Sequence, residues 1–399
     1  MDLSKIPGLD ALGNLKGKRV FVRCDFNVPL EGKTITSDAR IVAALPTIKK
    51  LLAQGAQLIL ASHLGRPEGK GHEGAFSLAP VAKRLSDLLG FEVPLIPDCV
   101  GEQTRHSVHG IENGRAVLLE NLRFHKAESK GVEVFGRELA SLAEAYVNDA
   151  FGTCHRADAS MVWPARLLPS AAGLLVKAEI DAMARVLEKP ARPTLAVLGG
   201  AKVSDKIPLL NNLLPKINEL CIGGGMAYTF LMAAGIGIGN SLCDDTLVGD
   251  CKKIVAKASD LGVVLHLPDD HVIAKGIDIE GAEEVNGDVP DGMAAFDIGD
   301  HTVTRFADAI KRAKTILFNG PMGVFEKERF SNGTRAIVSA IAAATAKGAY
   351  SVVGGGDSAA AVEHFGLSGK MSHVSTGGGA SLTLLQGEPM PALEALLKF

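Results

Sequence analysis

KRVFVRCDFN (residues 18–27) is a short apolar run that ends in polar residues, and ARIVAALPTIKKLLAQG (39–55) follows it with apolar residues at helical spacing. An apolar run bounded by a turn fits a strand buried on both faces, the setting of a parallel sheet. In the second segment Ile41, Leu45, Ile48 and Leu52 share one face before Gly55, and Pro46 predicts a kink or a late helix start.

The same pairing recurs along the chain. Further runs are QLILASHLGR (57–66), AVLLENLRF (116–124) and EAYVNDAFG (144–152), then TLAVLGGAKVSDK (194–206) and ELCIGGGMAYTF (219–230). GVVLHLPDDHV (262–272), TILFNGPMGVFE (315–326) and YSVVGGGDSA (350–359) complete the series. Between them lie helical patterns such as SLAPVAKRLSDLLG, with Ser77 as N-cap, Leu78, Val81, Leu85 and Leu88 on one stripe and Gly90 as the stop. GTRAIVSAIAAATAKG is an alanine-rich third case. Alternation of this kind predicts an α/β fold with right-handed crossovers.

At 399 residues the chain has room for two domains. A helical stretch over 177–187 runs into EKPARP (188–193), whose prolines break it. The expected domains are residues 1–187 and 188–380, with 381–399 as a C-terminal segment ending in a short amphipathic helix. The predicted class is thus two doubly wound, Rossmann-like parallel-sheet domains joined by a hinge helix.

Composition removes several function classes. A net charge of −3 gives no electrostatic case for nucleic acid or an anionic membrane as partner. No run of 18 apolar residues predicts a membrane span, and the first 30 residues hold no apolar stretch of signal-peptide kind. The six cysteines form no CxxC pair, which points to reduced thiols in a cytosolic protein and not to a disulfide framework or structural zinc. There is no GxxxxGK[ST], GxSxG or HExxH, and Gly235–Gly239 lacks the third glycine of a dinucleotide fingerprint.

Ligands of open parallel sheets bind beyond the carboxyl ends of the strands, so the tails of the apolar runs are the places to search. In the first half they carry Arg23-Cys24-Asp25-Phe26-Asn27, His63-Leu64-Gly65-Arg66, Glu120-Asn121-Leu122-Arg123 and Asn148-Asp149, then His155-Arg156; Arg40 opens a helix. Gathered on one rim, these cations form an anion pocket. In the second half the tails carry Gly199-Gly200-Ala201-Lys202 and Lys206, Gly223–Gly225, Asn319-Gly320-Pro321, Gly354–Gly356 with Asp357 and Ser358, and Gly377–Gly379. Glycine at a strand-to-helix turn opens backbone N–H groups to phosphate, and Asp357 is a candidate Mg²⁺ carboxylate. The asymmetry is general: 12 of 17 arginines precede residue 190, whereas 28 of 45 glycines follow it.

These residues, in this order, resemble the phosphoglycerate kinase family. The likeness rests on VRCDFNVPL, the Arg40 helix start, SHLGRP, ENLRF, YVNDAFGTCHRADAS, LGGAKVSDK, GGGMAYTF, FNGPMGVFE, GGGDSA and STGGGASL, and it covers nearly the whole chain. The resemblance implies that the tail returns to the N-terminal domain, and that 3-phosphoglycerate (or 1,3-bisphosphoglycerate) is held there by Asp25, Asn27, Arg40, His63, Arg66, Arg123 and Arg156. It implies Mg-ATP or Mg-ADP on the C-terminal domain, at Gly200, Lys202, Lys206, Gly224, Asn319, Glu326 and Gly355, Gly356, Asp357 and Ser358. Glu326 is implied at the ribose and Asp357 at the metal. Departures from the family pattern are Asp158 for a second histidine, Cys24 for valine or alanine, Asp300 for proline and Ser358 for threonine. Asp158 is expected to weaken the positive charge near Arg156.

The resemblance further implies a monomeric cytoplasmic enzyme. Its carboxylate nucleophile is already ionised at neutral pH and needs no general base. Arg40, Lys206 and the amides of Gly378 and Gly379 are expected to stabilise the transferring group. Hinge closure about the helix ending near Leu187 is expected to unite the half-sites. The alternatives are an NAD-dependent dehydrogenase of similar build and a non-catalytic phosphosugar- or nucleotide-binding module.

Overall fold

The protein is described by a computed structural model that covers Met1 to Leu397; Lys398 and Phe399, the end of the expected C-terminal segment, lie outside the described residues. Arg19–Cys24 (β1) is the strand within the first apolar run, and it is buried on both faces. Val20 and Val22 join one core with Ile41, Ile48 and Leu51 of the helix Ala39–Ala53 (α1), and Phe21 stacks on Tyr146. Each such apolar side chain contributes roughly 1.5–3 kcal/mol on burial. Helix α1 starts at Ala39 and contains Pro46, so the late start does not occur.

The chain then forms Gln57–Ala61 (β2), the helix Ala79–Leu89 (α2), Leu95–Ile96 (β3), Ala116–Leu119 (β4), Ala145–Asp149 (β5) and Ser170–Ala172 (β6). These strands pair in parallel in the order β3-β4-β2-β1-β5-β6. Gly90 ends α2 in the left-handed region as expected, but the N-cap position falls on Leu78, and Ser77 Oγ accepts from Ala79 N. The helix Leu174–Leu187 (α3) follows, its N-terminus held by Asp149 Oδ1, which accepts from Leu175 N at 3.0 Å.

The second sheet consists of Thr194–Leu198 (β7), Glu219–Ile222 (β8), Val264–His266 (β9), Thr315–Asn319, Tyr350–Val353 and His373–Val374. Between β9 and Thr315 lie Asp270–Ala274 (β10), Glu283–Asn286 (β11) and Ala294–Ile298 (β12), so the later strands are β13, β14 and β15. The parallel order is β9-β8-β7-β13-β14-β15, the sequence third, second, first, fourth, fifth, sixth of a Rossmann sheet. Val197, Ile316, Phe318 and Val353 form its core with Phe306, Ile310, Ile337 and Ile341 from the helices Asp300–Arg312 and Asn332–Ala346. The run GVVLHLPDDHV corrects to two strands: β9 is an edge of the large sheet, and β10 is the centre of the antiparallel sheet β11-β10-β12. An apolar run carries no mark of where it changes sheets.

Two compact units result, Met1–Asp181 with the chain from Pro389 onward, and Ala182–Glu388. The change falls inside α3 and not at Glu188, because the last turns of α3 belong with the second unit; Arg185 lies over the ring of Tyr350 on β14. The return to the first unit begins at Pro389 and not at 381. The helix Gly379–Gln386 stays with the second unit, where Asn212 Nδ2 donates to Leu385 O at 2.7 Å. The short helix Pro391–Leu396 packs in the first unit, with Ala392 N donating to Cys154 O.

Candidate functional site

In the first unit the chain leaves β1 toward β2 on one side and returns to β5 on the other. The carboxyl ends of β1 and β5 therefore flank the crevice where such folds bind ligands. Asp25 and Asn27 follow β1, His63 and Arg66 follow β2, Arg123 follows β4, and Arg156 follows β5. Arg40 reaches back from α1 to pair with Asp25, Nη1 to Oδ2 2.5 Å. Asn27 Oδ1 accepts from Gly65 N at 2.8 Å, and Arg123 Nη1 donates to Gly65 O at 2.9 Å, so both grip the loop that carries Arg66. Arg66 itself is exposed and has no ion pair among the described residues.

His63 marks the gathering of these cations. Burial, and then the charges of Arg23, Arg123, Arg156 and Arg40, hold its pKa well below the ordinary imidazole value. It is thus neutral at pH 7. Its Nδ1 lies 3.1 Å from Arg23 Nη2. Arg23 is fully buried; its Nε donates to Ser160 Oγ at 3.0 Å and its Nη1 to Cys24 O. Ser160 in turn donates from both N and Oγ to Glu128, a fully buried carboxylate that burial pushes up and Arg23 pulls back down. This Arg23–Ser160–Glu128 chain was not among the expected site residues. The signal was an arginine inside an apolar strand, where only a partnered charge is tolerable.

Asp158 sits against Arg123, not Arg156: Arg123 Nη2 is 3.9 Å from Asp158 Oδ2. That separation is too long for a hydrogen bond. Arg123 Nε and Asp158 Oδ2 are both buried without a hydrogen-bond partner among the described residues. Burial lowers the Arg123 pKa, while Asp158 raises it.

In the second unit the switch point lies between β7 and β13, whose tails are Gly199-Gly200 and Asn319-Gly320-Pro321. The two tails touch backbone to backbone. Gly199 N donates to Asn319 O at 3.1 Å and Gly200 N to Pro321 O at 2.9 Å. A Cβ on Gly199 would lie 2.1 Å from Pro321 O, and one on Gly320 2.2 Å from Gly199 O. Only glycine permits that approach.

Above this contact lies a cavity of about 540 Å³ lined by Gly200, Lys202, Lys206, Asn319, Gly355 to Ser358, Gly378 and Gly379. The helices Gly356–His364 and Gly379–Gln386 both start at its wall, so their N-terminal amides face it. Lys206 Nζ donates to Asn319 Oδ1, and burial lowers its pKa against the opposing charges of Asp205 and Asp357. Ser358 Oγ accepts from Gly320 N at 2.6 Å. Lys202 and Asp357 are exposed.

A second cavity, about 510 Å³, shares Gly200, Ala201 and Asp357 with the first and continues past Gly224 to Glu326. Its walls are Tyr228, Leu242, Ile277, Phe296, Val324 and Phe325. Its glycines, Ala201, Pro321, Glu326 and Asp357 are legible in the sequence, whereas the apolar wall comes from the antiparallel insert and from loops without a motif. A polar cradle opening into an apolar slot suits a phosphate chain attached to a flat ring.

The chain matches the family described as PGK, phosphoglycerate kinase, over residues 9–388. It is 50% identical over 386 residues to the phosphoglycerate kinase of Clostridium perfringens, covering 96% of each chain. It is 49% identical over 387 residues to that of Thermosipho africanus, again covering 96% of each. Among solved structures, phosphoglycerate kinase from Coxiella burnetii aligns with a TM-score of 0.90 at 45% identity, covering 96% of this chain and 97% of that one. The enzyme from Pyrococcus horikoshii aligns at 0.81 with 32% identity, covering 99% and 100%.

Proposed function

The chain belongs to the phosphoglycerate kinase family, and on that premise we propose that its two cationic and glycine-rich rims are the two half-sites of one phosphoryl transfer. The reaction is the reversible transfer of the γ-phosphoryl group of ATP to the C1 carboxylate of 3-phosphoglycerate, giving 1,3-bisphosphoglycerate and ADP, a step of glycolysis. In this reading the first unit holds the acid and the second the nucleotide. The carrying observation is the buried His63, its Nδ1 3.1 Å from Arg23 Nη2, with Arg40, Arg123 and Arg156 close enough to act on it electrostatically.

The acid's phosphate would be anchored by His63, Arg66, Arg123 and Arg156, with Asp25 and Asn27 gripping the hydroxyl end. The nucleotide phosphates would lie over Gly200, Lys202, Lys206, Asn319 and the two helix N-termini, with the base in the slot past Gly224 and the ribose at Glu326. Asp357 is an exposed carboxylate shared by both cavities, which suits a Mg²⁺ ligand beside phosphate. The ion, when bound, supplies neutralisation of the phosphate charge.

The attacking carboxylate is ionised at neutral pH, so transfer needs alignment and charge neutralisation, not a base. Arg40, Lys206 and the amides of Gly378 and Gly379 would take up charge on the transferring group. Both substrates must meet, so the hinge closure expected from the sequence stays part of the proposal, as do a monomeric state and a cytoplasmic location. Among the described residues no helix is long and apolar enough to cross a membrane.

The test is a coupled assay of acyl phosphate formation from 3-phosphoglycerate and Mg-ATP, run on the wild type and on Arg40→Ala. The variant should lose far more kcat than it gains in KM. A normal kcat with a raised KM would make Arg40 an anchor only, and absence of wild-type turnover would overturn the assignment.

A further inference from the structure

The carboxyl ends of β3 and β4 carry a second group of chemically able side chains, apart from the arginine cluster. Asp98 lies two residues beyond β3, Cys99 follows it, and His125 follows the turn Leu122–Phe124 that ends β4. One ligand atom from each, a carboxylate oxygen, a thiol sulfur and a ring nitrogen, lies within 4.8 Å of the other two. We propose that Asp98, Cys99 and His125 form a binding site for a zinc-like transition-metal ion, separate from the Mg²⁺ that accompanies the nucleotide.

The ligand set decides the metal class. Thiolate and imidazole disfavour the hard ions Mg²⁺ and Ca²⁺ and suit Zn²⁺, with Co²⁺ as a spectroscopic substitute. Three protein ligands leave one tetrahedral position for water. The surroundings already orient the group. Asp98 Oδ1 accepts from Cys99 N and faces His125 Nε2, both at 2.6 Å. Thr104, itself buried, donates from Oγ1 to Asp98 O at 3.1 Å and fixes the turn. The His125 ring packs on Phe135, centroids 5.1 Å apart.

Access and retention are both provided for. Asp98 and His125 keep 53% and 32% of their side-chain surface exposed, so an ion can enter, while Cys99 is buried at the inner end. On binding, the Cys99 S–H bond breaks, its proton leaves to solvent and a metal–sulfur bond forms. The Asp98–His125 hydrogen bond gives way to one bond from each to the ion. The Nε2 proton of that hydrogen bond leaves to solvent and the ring takes one up on Nδ1, so the neutral imidazole offers its Nε2 lone pair to the metal. The ion would then tie the end of β3 to the segment two residues beyond Arg123.

The test is titration of the full-length protein with Co²⁺, read by the sulfur-to-cobalt charge-transfer absorption and tetrahedral d–d bands, followed by displacement with Zn²⁺. Millimolar Mg²⁺ is present throughout. We expect one equivalent bound, the charge-transfer band abolished by Cys99→Ser, and affinity lowered at least about tenfold by His125→Gln and by Asp98→Asn. Far-UV circular dichroism and wild-type turnover show that each variant is folded. Cys243→Ser, which removes the partly exposed thiol of the second unit, should leave the band intact. The proposal is overturned if no band develops, if the band survives Cys99→Ser, or if Cys243→Ser removes it.

Discussion

Arg23 and His63 meet inside the first unit, guanidinium Nη2 to imidazole Nδ1 at 3.1 Å, with Arg23 fully buried and His63 nearly so. A guanidinium only donates, so Nδ1 is the acceptor and the ring proton sits on Nε2. Arg23 thereby fixes the tautomer that presents a neutral donor to the proposed phosphate anchor. A glutamine side chain places an amide N–H near the Nε2 position, whereas asparagine places one near Nδ1. His63→Gln should therefore retain more affinity for 3-phosphoglycerate than His63→Asn, whose KM should rise roughly tenfold or more for a lost hydrogen bond to a charged group. Initial rates at varied acid concentration check it. The reverse ranking would show that Nδ1 faces the ligand.

The strand ends were legible because apolar runs stop where polar residues begin, and the doubly wound topology brings Asn27, His63, Arg123 and Arg156 to one rim. The glycine turns were legible for a similar reason, since Gly199 and Gly320 stand where no side chain fits. The partners that set the electrostatics were not legible. Glu128 lies in a short helix far from β1 in sequence, and only folding brings it to Ser160 and so to Arg23. The apolar slot was hidden for the same reason: Leu242, Ile277 and Phe296 come from segments with no shared period. Asp158 was placed beside its sequence neighbour Arg156, but helix entry turns it to Arg123.

Buried carboxylates should give the protein an unusual pH response. Burial pushes Asp297 up to about 7, against hydrogen bonds from Gly333 N and Ile298 N. An unfolded aspartate titrates near ~3.9, so between about pH 4 and 7 the native state binds more protons than the unfolded one. The stability this group adds is full below about pH 4 and is lost as pH rises through 7. Asp297→Asn removes that dependence. The difference in unfolding free energy, wild type minus variant, should fall by up to about 4 kcal/mol from pH 4 to pH 8. His63 acts in the opposite sense, because its lowered pKa makes stability rise with pH below about 6.5, but it is present in both proteins and cancels. Urea unfolding at several pH values measures the difference. A difference that is flat or grows with pH would sink the argument.

Glycines at the proposed nucleotide cradle should divide into two classes. At Gly199 an added methyl meets Pro321 O at 2.1 Å and Gly320 O at 2.7 Å, so β7 and β13 must part at the switch point. Gly199→Ala should cost about 1–3 kcal/mol by overpacking and should weaken ADP binding with it. Gly356 lines the same cavity, but a methyl there meets nothing within 4 Å. Gly356→Ala should fold with near wild-type stability. Thermal unfolding with and without Mg-ADP separates the two, and equal destabilisation would remove the steric explanation.

Asp158 should oppose substrate binding at a measurable level. Its carboxylate lies 3.9 Å from Arg123 Nη2 without a hydrogen bond, and Oδ2 has no other partner among the described residues. Two unit charges at that separation attract by about 4 kcal/mol at an effective dielectric of 20. A phosphate arriving at Arg123 competes for that field and is also repelled by the carboxylate. Asparagine keeps the shape and removes the charge. The cap costs nothing, since Asp158 precedes the helix Ala159–Leu167 without a side-chain cap bond. Even a quarter of the Coulomb term, about 1 kcal/mol, makes a difference of roughly fivefold. Asp158→Asn should therefore lower the KM for 3-phosphoglycerate about three- to tenfold and leave that for Mg-ATP unchanged, because the residues proposed to hold the nucleotide lie in the other unit. Asp158→His should go at least as far, since histidine adds a donor where the carboxylate only accepts. An unchanged acid KM in both variants would mean that the carboxylate is screened from the ligand and that Arg123 reaches the phosphate from its far side.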